Sequence, residues 1–187
     1  MSKVFLDMAI SLDGFVSGPN GEDGGLHDWY FAPSPQSQAV IDELLQEIGA
    51  MVLGRRSYSI GAEHGDSKEE PYQMPHFVLT HHAPDAASIK DTRVRFVTNG
   101  ITSALEQARA SAGEKDVCIA GGADTARQFL GAGLIDEIRL HLVPVLLGGG
   151  LRLFEGLGAE RINLERTRVI EAVGVTHLRF DVKRELA

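Results

Sequence analysis

The chain reads as an α/β protein of three layers, a mixed and mostly parallel sheet with helices on both faces and an antiparallel hairpin at the C-terminus. Three observations carry that reading. Short apolar runs alternate with segments of helical spacing. Glycines stand where runs pass into helices, at Gly54 and at Gly121-Gly122. Near the end, Leu164–Ile170 and Val175–Lys183 alternate in polarity about Gly174, the pattern of two strands joined by a tight turn.

In order, Val4–Ile10 is a buried first strand closed by Ser11-Leu12-Asp13-Gly14, and Gly14–Gly25 is a long glycine-rich loop of the kind used as lids or binding loops. Leu26–Phe31 is the densest aromatic cluster, with Trp29 open to core packing or ligand contact. Ser34 caps a helix whose apolar face is Val40, Ile41, Leu44, Leu45 and Ile48, ended by Gly49. Ala50–Leu53 is a buried strand running into the helix start Gly54-Arg55-Arg56-Ser57-Tyr58, and Gly61–Pro75 is an acidic surface excursion. His76–Thr80 and Val94–Val97 are further strands, with a helix from the N-cap Thr102 through Ala110. Val117–Ala120 is a strand, and Thr125–Leu130 a helix with Asp124 as its N-cap. Ile138–Val143 is a strand stopped at Pro144, and Gly148–Gly150 a turn.

Composition limits the function. The 187 residues, 43% hydrophobic, suffice for one core, so a single domain over 1–187 is expected. A net charge of -8 argues against nucleic-acid binding, which makes the Arg55-Arg56 pair informative. The single cysteine, Cys118, lies within an apolar strand, which excludes a disulfide framework and fits a reducing cytoplasm. No segment has the length and apolarity of a membrane span. His81 and His82 lack a third ligand at fixed spacing, so no metal site is expected.

The Gly121-Gly122 pair lets backbone N–H groups approach an anion at a helix start, or serves turn geometry alone. At Gly54-Arg55-Arg56, two cations stand where the helix dipole disfavours them unless a phosphate or carboxylate offsets the cost. Three strand ends, at Gly54, Thr80 and Gly121, can meet along one sheet edge, where such folds bind nucleotides.

Together these segments resemble the dihydrofolate reductase-like superfamily, and within it the C-terminal reductase domain of riboflavin-biosynthesis deaminase/reductase proteins and its free-standing relatives. The resemblance rests on Ala9, Ser11–Gly14, Asp28-Trp29, Leu53–Tyr58, Leu79-Thr80-His81, Ile119–Thr125 and Pro144–Gly150. It implies NADPH as cofactor. Gly121, Gly122, Ala123 and Thr125 would hold the pyrophosphate. Arg55, Arg56 and Ser57 would meet phosphates, including the ribose 2'-phosphate, and Thr80 and His81 would flank the adenosine. Ala9 and Val16 would border the nicotinamide, with Gly54 and Ala120 completing the cofactor set. Val16, Trp29 and Phe31 are the substrate-side candidates, and Asp28, then Asp13, the candidate proton donors. The chain departs from dihydrofolate reductases in carrying Ser34 where those enzymes have a helix carboxylate, and Gln36–Ile48 lacks the basic and histidine-containing pattern usual in riboflavin reductases.

The expected activity is NADPH-dependent hydride transfer to a small heterocyclic or carbonyl/imine substrate, as in 5-amino-6-(5-phosphoribosylamino)uracil reduction. The alternative is a nucleotide- or pterin-binding module of the same fold without turnover. A Rossmann dehydrogenase fits less well, because its glycine fingerprint would follow the first strand and open a helix. The long edge of the terminal hairpin suggests a homodimer.

Overall fold

The computed structural model describes residues 2–64, 72–85, 89, 91–158 and 161–183, with the side chains of residues 60–64 outside that description. Its eight-stranded sheet has the order β5-β4-β3-β6-β1-β7-β10-β9. Here β1 is Val4–Ser11, β3 Ile48–Gly54, β4 His76–Leu79, β5 Val94–Val97, β6 Asp116–Ile119, β7 Glu137–Val143, β9 Asn163–Ala172 and β10 Val175–Lys183. From β5 through β7 every neighbouring pair is parallel, whereas β10 runs antiparallel to both β7 and β9. This is the mixed, mostly parallel sheet with a C-terminal hairpin that the periodicity anticipates.

Alternation along β1 divides the core between two layers. Val4, Leu6 and Ile10 join Ala104, Leu105 and Ala108 of α4 (Gly100–Ala112) and Phe129 and Leu130 of α5 (Ala123–Gly131) on one face. On the other, Phe5 packs with Leu44 of α2 (Pro35–Glu47), and Ala9 with Ile41 and with Trp29 of the one-turn α1 (Asp28–Phe31). Phe5 and Phe129 are fully buried, and truncating either to alanine should cost about 3–5 kcal/mol.

Ser34 caps α2 as anticipated, accepting from the Ser37 amide at 3.3 Å, with Pro35 in the first turn where a missing N–H costs nothing. Several boundaries differ from the sequence reading. Gly49 does not end α2. The helix stops at Glu47 and Ile48 already opens β3, because Ile48 is worth more buried in the sheet than on a helix end. The loop Gly14–Gly25 contains a short strand, β2 (Phe15–Ser17), paired with β8 (Leu151–Arg152), a partner too distant in sequence for local pattern to reveal. The first part of the expected excursion 61–75 is helical, since α3 spans Arg55–His64; residues 65–71 lie outside the described residues. Asn99 rather than Thr102 precedes α4. Gly122 rather than Asp124 is the N-cap residue of α5, and Asp124 sits within the first turn, 80% exposed and bonded to Gln128. No helix among the described residues is long and apolar enough to cross a membrane.

Candidate cofactor and substrate site

Because β4, β3 and β6 are adjacent and parallel, Thr80, Gly54 and Gly121 all emerge at the same sheet edge. The Gly54 amide donates to the Gly121 carbonyl at 2.8 Å, tying the arginine segment to the glycine segment. The Gly121–Gly122 peptide is cis. Ser57 Oγ, in the first turn of α3, lies 3.3 Å and 3.1 Å from where β-carbons on Gly121 and Gly122 would stand, and Thr125 Oγ1 lies 2.9 Å from the corresponding point on Gly54. A β-carbon at any of the three would crowd the neighbouring hydroxyl, so the glycines let Ser57 and Thr125 pack directly against this backbone. At Gly121 a φ of 125° adds a second requirement, since that region favours glycine. The first amides of α5 receive no side-chain cap, and Ala123 and Thr125 are buried behind the glycine pair.

The two arginines are exposed and diverge. Arg55 lies over the Phe96 ring at 5.0 Å, toward the β5 edge, while Arg56 reaches back against Gly21 of the β2 loop. Thr80 Oγ1 is engaged in its own turn, donating to the His82 carbonyl and accepting from the His82 amide, so His81 is the freer of the pair. Ala120 stands half-buried at the end of β6, and Val16 lies in β2 beside the β1 terminus.

The candidate proton donors are placed differently from each other. Asp13 accepts from Ser11 Oγ at 2.6 Å and from the Leu147 and Gly148 amides at 3.1 and 2.7 Å. The Ser11 hydroxyl, followed by these amides, lowers its pKa to about 2, so its carboxylate clamps the 144–150 segment and is a poor acid. Asp28 is exposed at the first position of α1, with Oδ2 3.3 Å from where a β-carbon on Gly25 would stand. Phe31 is 78% exposed, whereas Trp29 is buried against His141 and His177, with ring centroids 4.4 and 4.9 Å apart. Cys118 is buried, and burial pushes its thiol well above its ordinary pKa, consistent with a core role.

A buried polar layer between the sheet and α2 was not anticipated. Asp7 and His141 are in contact at 3.0 Å, His141 and His177 at 2.7 Å, and His177 and Ser37 at 3.1 Å. Beside them Arg139 pairs with Glu137 and Glu47, both at 2.6 Å, and lies over the Phe5 ring. The available signal was a charged or imidazole side chain inside an apolar strand, as at Asp7, Arg139 and His141. Among the described residues, no group of three or more His, Cys, Asp or Glu side chains is placed to hold a metal ion.

Comparison with known proteins agrees with this architecture. The uncharacterized protein YwjB of Bacillus subtilis is 31% identical over 172 residues, covering 89% of this chain and 91% of its own. The crystal structure of a Shewanella sp. PV-4 protein named for riboflavin biosynthesis superposes with a TM-score of 0.80 at 23% identity, over 97% of this chain and 99% of that one. A Thermotoga maritima diaminohydroxyphosphoribosylaminopyrimidine deaminase/5-amino-6-(5-phosphoribosylamino)uracil reductase superposes at 0.66 with 14% identity, over 97% of this chain and 57% of its own. At these identities the two structures speak for the fold, which is dihydrofolate reductase-like. The family model of the RibD C-terminal domain matches residues 2–177, nearly the whole length, and the chain belongs to that family.

Proposed function

We propose that the protein is an NADPH-dependent reductase that transfers hydride to a carbonyl or imine carbon of a small heterocyclic or carbonyl substrate, like the riboflavin-pathway reductases whose fold it shares. The observation that supports this most is the seating of Ser57 Oγ against Gly121 and Gly122, which sets the glycine backbone beside the helix start that carries Arg55 and Arg56. NADPH would supply the hydride. The Gly121–Ala123 backbone would receive its pyrophosphate, with Thr125 packed behind. Arg55 and Arg56 would meet the phosphates, among them the 2'-phosphate that guanidinium groups bind bidentately. His81, with Thr80, would border the adenosine, and Ala9 and Val16 the nicotinamide; the protein's task is to align the two carbons and exclude water.

The test is a fluorescence titration with NADPH and NADH. NADPH should bind roughly ten-fold or more tightly, as expected for charge-assisted phosphate contacts, and replacing Arg55 and Arg56 by alanine should abolish the preference. Equal affinities in the unmodified protein count against the reading. Binding without NADPH oxidation across pterins, pyrimidines and quinones would favour a nucleotide- or pterin-binding module instead.

We also propose a homodimer formed through β9, an edge strand with Leu164 and Val169 44% and 45% exposed. Sedimentation showing only monomer at micromolar concentration removes this proposal.

A further inference from the structure

One residue of the apolar first strand is charged, and the fold buries it. Asp7 Oδ1 accepts from His141 Nε2 at 3.0 Å, and that contact orders the layer behind it. With both rings neutral, a His141 that donates from Nε2 has a bare Nδ1. His177 must then donate from its own Nδ1 across the 2.7 Å contact and accept at Nε2 from the Ser37 hydroxyl at 3.1 Å. Ser34 Oγ in turn donates to Ser37 Oγ at 3.3 Å. Every hydrogen bond in this chain points toward Asp7, whose carboxylate is its terminal acceptor.

The other oxygen has no such use. Asp7 Oδ2 is buried and has no hydrogen-bond partner among the described residues; the same holds for the indole N–H of Trp29, beside the His141 ring. An acceptor and a donor left open around one imidazole are costly, and such groups concentrate where a ligand completes them. Burial raises the Asp7 carboxyl pKa, but His141, together with Arg139 and His177, offsets burial and holds it below its ordinary value. The side chain as a whole remains 16% exposed.

The position also fits. Asp7 precedes Ala9 by two residues on the same face of β1, next to the expected nicotinamide contact. Its neighbour Met8 places Sδ 3.5 Å from where a β-carbon on Gly121 would stand. In the β1–β6 register Leu6 pairs with Ile119, which sets Asp7 level with the end of β6, just before the glycine pair and on the face of the sheet opposite Met8.

We propose that Asp7 is the substrate-contacting and specificity-determining residue of the reductase, its Oδ2 accepting an N–H from a protonated C=N group, with Ser37, His177 and His141 as the positioning residues that hold it. This rests on the reductase reading above. In the step, a C–H bond forms at the imine carbon with the electron pair of the hydride while the dihydronicotinamide is oxidised. The C=N π pair becomes the nitrogen lone pair, and the nitrogen keeps its proton on Asp7. A cation beside the carboxylate becomes a neutral amine, and no proton need enter. Reduction of a carbonyl would instead build negative charge on oxygen facing a fixed anion, which the site opposes.

The test uses benzamidine, a planar cation with N–H donors, and benzamide, its neutral counterpart of the same shape. The readout is the fluorescence of Trp29, the sole tryptophan of the chain. Benzamidine should bind saturably and at least roughly ten-fold more tightly than benzamide, as for a hydrogen bond to a charged group, and Asp7→Asn, which keeps an oxygen for His141, should erase the preference. No saturable change, equal affinities, or a preference that survives Asp7→Asn overturns the proposal. If Asp7→Asn does not fold, the single indole N–H resonance of the wild-type protein decides: benzamidine must shift it and benzamide must not. NADPH titration of the same samples separates the two readings. Failure of the wild type to bind NADPH sinks the reductase while leaving the cation preference to be judged alone; the expected result is unchanged NADPH binding in Asp7→Asn with the preference gone.

Discussion

The Nδ1 atoms of His141 and His177 face each other at 2.7 Å in the layer between the sheet and α2, with the Trp29 ring against both. Two imidazoles so placed can share one proton between these nitrogens but cannot both hold one there. Burial, then repulsion from His141, lowers the His177 pKa from 6.5 to about 4, with Asp7 pulling the other way.

Stability should therefore depend on mild acid. Between pH 6.5 and about 4 the unfolded chain takes up a proton at position 177 that the folded protein refuses, so stability present above pH 6.5 is lost as the pH falls through this window. The slope approaches about 1.4 kcal/mol per pH unit, and the total is on the order of 3 kcal/mol. Urea unfolding followed by Trp29 fluorescence at pH 7 and pH 5 measures it. His177→Gln should flatten the dependence, and an unchanged slope in that variant would assign it elsewhere.

Asp13 offers a second test, because its carboxylate joins the end of β1 to the amides of Leu147 and Gly148. Asp13→Ala should speed hydrogen exchange at those two amides several-fold while leaving the β6 amides unchanged. In the wild-type protein the clamp should persist through neutral pH and weaken only as the pH falls below the ordinary carboxylate value of 3.8 toward about 2, since the folded pKa is the lower one. Loosening already at pH 5 would contradict this.

The glycine pair makes the sharpest steric prediction. Gly121→Ala forces a β-carbon to 3.3 Å from Ser57 Oγ at a φ of 125°, and should destabilise by about 1–3 kcal/mol. Gly122→Ala meets Ser57 at 3.1 Å without that backbone penalty, so it should perturb stability less while still crowding the Ser57 hydroxyl against the expected pyrophosphate position. Thermal unfolding and NADPH titration of both variants separate strain from blockage. Equal stability losses would show that crowding, not φ, dominates.

Much of the candidate site was legible in the linear chain because its parts are local. A glycine pair between an apolar run and a helical run, and two arginines at a helix start, are read within a few residues. The strand-to-helix alternation and the terminal hairpin followed from periodicity in the same way. Where local preference competed with burial, the reading slipped: Ile48 and Gly49 went to β3, and Gly122 displaced Asp124 as the N-cap.

By itself, then, the sequence determined the α/β class, the order of the main strands and helices, and the placing of a glycine pair and an arginine pair at helix starts, since each depends on neighbours along the chain. Only the tertiary structure decided that β3 and β6 are adjacent, so that Ser57 meets Gly121, and that Asp7 and His141, separated by 134 residues, share a hydrogen bond. Strand order and cross-strand register set these contacts, and both come from closing the whole sheet around two apolar layers rather than from any single segment.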